Sequence, residues 1–171
     1  ESQQGSLDDT RTNRMDEAYF SRKFAPGLSV DAGKLAMKWG KGYAWSPVGF
    51  VERAKDPNDP ELAREGYTML SADYIRNFNG PLQTLAFTPV LLPVSSDINN
   101  DYGRSGHINV AARLYLLLLD TDIDLMFLNG GSRTHRYGMD FSRNLGSNFE
   151  LHGEWARTAD AQRQITDARG N

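Results

Sequence analysis

Apolar and polar residues alternate with a period of two through most of the chain between Met15 and Arg157, and turn residues separate the alternating runs. Successive side chains of a strand point to opposite faces, so each run predicts a strand with one greasy wall and one polar wall. The fifth run is the clearest. Ile108, Val110, Ala112, Leu114, Leu116 and Leu118 share one face, and His107, Asn109, Ala111, Arg113 and Tyr115 share the other. The runs before it cover residues 15–24, 28–39, 66–78 and 82–92, and those after it cover 123–129, 133–142 and 148–157. In the second run Leu35, Met37 and Trp39 oppose Lys34, Ala36 and Lys38; in the third, Leu70, Ala72 and Tyr74 oppose Ser71 and Asp73. Almost no stretch carries a convincing helical period. The predicted fold class is therefore all-β, with about eight antiparallel strands in up-and-down hairpins.

The connections alternate in length as well. Ala25-Pro26-Gly27, Asn79-Gly80, Asp120-Thr121-Asp122 and residues 144–147 read as tight turns, with Asn79-Gly80 the strongest short-range hairpin signal in the chain. Residues 40–65 and 93–106 read as long polar loops, and Pro57 and Pro60 keep the first of them out of any central ladder. Hairpin parity puts the tight turns on one rim and the long loops on the other. The short Gly130-Gly131-Ser132 connection departs from that rhythm. Residues 1–14 form a polar lead-in and residues 158–171 a polar, aperiodic tail.

Several runs last about 10 residues, the length of a tilted strand crossing an outer membrane, whereas strands of soluble proteins cluster near about 5 to 6. Short turns on one rim and longer loops on the other are the habit of bacterial outer-membrane barrels. Aromatics stand near run ends, at Tyr19, Phe20, Trp39, Tyr67, Tyr74, Phe127, Tyr137, Phe141, Phe149 and Trp155, as interfacial girdles require. The polar walls carry Lys34, Lys38, Asp73, Arg113, Asp124, Arg136, Asp140, Glu150, His152 and Glu154, which on this reading line a wet lumen. A soluble β-sandwich or ligand-binding barrel is the competing reading, in which the same charges form the solvated outer faces.

Composition narrows the classes. With 171 residues, 39% hydrophobic, and no apolar run longer than the six residues 114–119, no helix here spans a bilayer, which takes about 20 apolar residues. A net charge of -3 with no run of one sign argues against a general grip on nucleic acid. Cysteine is absent, which removes disulfides, thiolate metal sites and cysteine nucleophiles. Aromatics at 11% and 16 glycines are the usual company of strands and tight turns. The first residues have no basic patch followed by an apolar stretch, so the expectation is a removed leader or an internal piece.

Gly33-Lys34 through Trp39-Gly40-Lys41-Gly42-Tyr43, then Ser46-Pro47-Val48-Gly49-Phe50, then Asp56-Pro57-Asn58-Asp59-Pro60-Glu61 with Arg64-Glu65-Gly66, resembles the hairpin and loop of porin-like outer-membrane β-barrel proteins. The alginate-export-like barrels are the nearest named comparison. The likeness covers residues 28–66 in detail, implies location and architecture, and brings no catalytic residues. Residues 167–171 lack the terminal aromatic strand of such barrels, and eight strands would leave both ends on the external side, so a section of a larger barrel is expected.

The remaining motifs add little chemistry. Asp56, Asp59 and Glu61 offer oxygen ligands of the kind calcium takes, but their spacing is not an EF-hand and the prolines already explain a rigid turn, so no metal is expected. Gly40-Lys41-Gly42 is not followed by the Gly-Lys-Ser/Thr of a phosphate loop; the glycines fit a bend where the second strand leaves the wall, with Trp39, Tyr43 and Trp45 anchoring the rim. His107, His135 and His152 lie on separate runs without ligand spacing. Glu150, His152 and Glu154 share a face but have no nucleophile to serve, so no catalysis and no cofactor are expected. The expected function is passage of a polar solute through a bacterial outer-membrane barrel, its partners lipid and that solute. The loop 40–65 folds over or into the mouth. The alternatives are a plugged or sheathing barrel with a protein partner, or the soluble β fold.

Overall fold

A computed structural model describes residues 15–42, 46–53, 65–146 and 149–159. Its strands are β1 (Ala18–Ala25), β2 (Leu28–Leu35), β3 (Tyr67–Asn77), β4 (Leu82–Val94), β5 (His107–Leu118), β6 (Thr121–Asn129), β7 (Arg136–Asn144) and β8 (Glu150–Thr158). They form one eight-stranded antiparallel sheet in sequence order, with no helix among the described residues. β1 pairs only with β2 and β8 only with β7, so the sheet is open at both edges.

Tight connections lie at one end of the sheet and long ones at the other. The β5–β6 turn is shorter than the Asp120-Thr121-Asp122 signal suggests: Leu119 and Asp120 alone make it, both at positive φ (52° and 57°). Two left-handed residues match the twist of the flanking strands, which is why this hairpin closes in two residues without glycine. Asn79 and Gly80 fall in the β3–β4 turn, where the Phe78 N–H donates to the Gln83 carbonyl at 2.9 Å.

β2 stops at Leu35 instead of continuing to Trp39. From there residues 36–42 and 46–53 leave the ladder and lie on one face of the sheet as a strap. We call that face covered and its opposite bare. The core lies beneath the strap at the long-loop end, where Trp39, Val48, Phe50 and Val51 pack with Leu35, Tyr67, Met69, Val90, Leu92, Tyr102, Ala111, Met126 and Leu128. Gly138 makes room for this: a Cβ there would come within 2.7 Å of Val48 Cγ1 and 3.0 Å of Phe50 Cζ.

The loop between β4 and β5 completes the end. Tyr102 is buried, its hydroxyl donates to the Phe50 carbonyl at 2.9 Å, and the Arg133 guanidinium stacks 3.7 Å over its ring while its Nε donates to the Tyr102 carbonyl. Tyr67 meets Tyr102 edge-on at 5.0 Å and carries Arg53 over its other side, with Arg53 also ion-paired to Asp101. Burial raises the Tyr102 phenol above its usual range, with the nearby Arg133 and Arg136 pulling the other way.

Candidate functional site

Register decides what the covered face offers. Tyr115 stands opposite Asp124, Asp124 opposite Asp140, and Asp140 opposite Glu154, so three carboxylates line up directly across β6, β7 and β8. Like charges directly opposite one another in a sheet repel. The strap supplies the compensation. Lys41 places Nζ 3.1 Å from Asp140 Oδ1 and 3.4 Å from Asp124 Oδ2, while the backbone N–H groups of Lys41 and Gly42 donate to Glu154 Oε1. Ser46 Oγ lies 3.1 Å from both Glu154 Oε2 and the Trp39 carbonyl.

Gly40 sets this bend at φ +88°, a conformation L side chains rarely adopt. Burial opposes the Lys41 ammonium, but Asp140, Asp124 and Asp122 outweigh it, so its pKa lies above the ordinary lysine value.

A polar groove of about 260 Å³ runs beside the row, lined by Tyr19, Asp31, Ser71, Asp73, Thr88 and Arg113 from β1 to β5. Thr88 donates to Asp73 at 2.5 Å, and Arg113 Nε reaches to 3.9 Å from Asp124 Oδ1, which joins groove to row. Asp31 Oδ1 and Ser71 Oγ are buried there without a hydrogen-bond partner among the described residues.

No family model matches the chain, and no curated protein or solved structure matches it.

Of the residues expected to line a lumen, Asp73, Arg113, Asp124, Arg136, Asp140, Glu150, His152 and Glu154 occupy covered-face positions by register. They are not one cluster. Asp124, Asp140 and Glu154 meet under the strap; Glu150 accepts from Ser142 at 2.7 Å, toward the tight-turn end, and His152 stands opposite Ser142. Lys34 departs from the expectation. Leu35, at the end of β2, is buried under the strap, so its neighbour Lys34 points to the bare side, where it pairs with Glu65 and donates to the Met15 carbonyl at 2.7 Å. Lys38 lies past the end of β2, exposed, between strap residues.

Trp39 is another correction: it is fully buried in the core instead of anchoring a rim, and Tyr67 is buried with it. Both side chains are needed to fill the space between strap and sheet. Gly40 and Gly42 form the bend on Glu154. Tyr43, Trp45, Asp56, Asp59 and Glu61 lie outside the described residues. Among the described residues no group of three potential metal ligands comes together. Sequence reasoning missed Lys41 as the ion-pair partner and residues 46–51 as core; the signal was there in Val48, Phe50 and Val51, an apolar patch inside an otherwise polar loop.

Proposed function

We propose that the chain is a wall section of a bacterial outer-membrane β-barrel that passes a polar solute, with the covered face toward the lumen and the strap narrowing it. One observation carries this reading. Leu28, Tyr74, Phe87, Leu114, Leu125, Met139 and Trp155 stand opposite one another in a single row from β2 to β8 on the bare face. At the same level, one position away in β5–β8, the covered face carries Tyr115, Asp124, Asp140 and Glu154. A soluble sheet turns its charges to water and its apolar row to a core; here the apolar row is bare and the carboxylates are covered. Apolar surface of that extent marks contact with lipid or another apolar partner.

Support comes also from the strand lengths, up to 13 residues in β4, and from the likeness of residues 28–66 to porin-like barrels. No bond chemistry enters; selectivity comes from charge in a narrow wet passage, where electrostatic interactions are less screened than on an open surface.

The test is site-directed spin labelling of the full-length protein in lipid vesicles, with planar-bilayer recording. Labels at Leu114 and Leu125 are expected to collide with oxygen in lipid, and labels at Asp73 and Arg113, which line the groove, with a water-soluble relaxant. Equal water access on both faces overturns the membrane reading. A second reading, a plugged or sheathing barrel, is favoured by the burial of Trp39, Val48, Phe50 and Val51 across the face; it predicts that correctly folded protein carries no current.

A further inference from the structure

The carboxylate row is occupied by a group of the protein's own. We propose that Asp124 and Asp140 form a binding site for a solute's primary ammonium group, and that Lys41 fills it as a tethered surrogate while Glu154 holds the strap's backbone beside it, so the Lys41 side chain and a cationic solute compete for one place. The inference rests on the passage reading for its biological sense, not for its chemistry.

Geometry supplies the argument. Register forces Asp124, Asp140 and Glu154 into line, and Asp122 follows two residues before Asp124 on the same face, taking a hydrogen bond from the Tyr115 hydroxyl. Lys41 and Arg113 are the cations that the structure pairs with this group, and Arg113 stands off at 3.9 Å. Negative charge is therefore in excess, and it is not laid open to water: Asp140 is 0% exposed. Among the described residues its Oδ2 has no hydrogen-bond partner and Asp124 Oδ1 has none either, so the site holds acceptors that Lys41 does not satisfy.

An ammonium presents three donors around one charge and suits the neighbouring oxygens of Asp124 and Asp140. Lys41 belongs to a segment held at this end by the backbone N–H groups of Lys41 and Gly42 and the Ser46 hydroxyl on a single carboxylate, Glu154. The polar groove beside the row reaches the site through Arg113, which gives a solute a way in alongside the strap.

The experiment uses n-butylammonium chloride as probe, titrated by calorimetry into the full-length protein folded in detergent, with sodium chloride at matched ionic strength as control. Lys41→Met is expected to bind the probe about tenfold or more tightly than the native protein, because the competing ammonium is gone. Adding Asp140→Asn to that variant is expected to abolish the gain. In the native protein the probe is expected to speed chymotryptic cleavage after Trp39, which is fully buried and needs the strap to lift; this measurement requires no variant to fold.

If folded Lys41→Met binds no better than native protein, or if sodium chloride reproduces the proteolysis, the ammonium site is overturned. If the site binds as stated but the reconstituted protein carries no current, the passage reading falls and the ammonium site stands.

Discussion

Two rows of side chains, one residue apart in sequence, run across the same four strands on opposite faces. Leu114, Leu125, Met139 and Trp155 form one; Tyr115, Asp124, Asp140 and Glu154 form the other. On the proposed reading the apolar row asks nothing of the protein, because mutual contact and an apolar surrounding would satisfy it. The acidic row cannot stand alone, because aligned carboxylates repel and lose hydration when covered. One register thus creates both a surface without need of a lid and a surface that requires one. The strap is what the second row demands.

Breaking the lid tests that difference most severely. Trp39→Ala empties the centre of the strap's packing and is expected to cost about 3 to 5 kcal/mol of stability in denaturant titration, with Lys41 freed from the acidic row. Next in size is the apolar row. Leu125→Arg is expected to cost about 2 to 4 kcal/mol when the protein folds into lipid vesicles; in a soluble sheet the same change at this exposed position would cost almost nothing, so folding equilibria separate the two readings.

Gly138→Val sharpens the comparison from beneath the strap. Its side chain meets Val48 and Phe50, and the expected loss is about 1 to 3 kcal/mol, with faster hydrogen exchange confined to residues 46–51 while the hairpins hold. The smallest effect is electrostatic. The folded pKa of Lys41 is raised, so its contribution is fully present below the unfolded lysine value, about 10.4, and is lost as pH rises through the folded value. Quenching of tryptophan fluorescence by acrylamide is expected to rise in that alkaline window in native protein, with the rise absent from Lys41→Met.

Sequence alternation made the composition of both rows legible, because Leu114 and Tyr115, or Leu125 and Asp124, are fixed on opposite faces by strand geometry alone. The lateral alignment was not legible. It depends on how many residues each turn consumes, and the β5–β6 turn takes two where a three-residue signal was expected. Lys34 shows the same limit: alternation in the second run identified two walls, and only packing under the strap decided which wall faces which way. A loop folding over or into the mouth was expected, but its docking place escaped because a polar, proline-bearing stretch gives no period and the docking is set by a carboxylate 113 residues further along the chain, on β8.

That separation has a kinetic consequence. Each hairpin closes between neighbours in sequence, whereas the bend at Lys41 finds its place only after β6, β7 and β8 have aligned to present Asp124, Asp140 and Glu154. Closing so long a loop is entropically slow and is repaid only when the receiving row exists. Seating of the strap is therefore the last event in assembly and the first to reverse, and substitutions at Trp39, Lys41 and Phe50 will show up in the unfolding rate while leaving the folding rate near its native value.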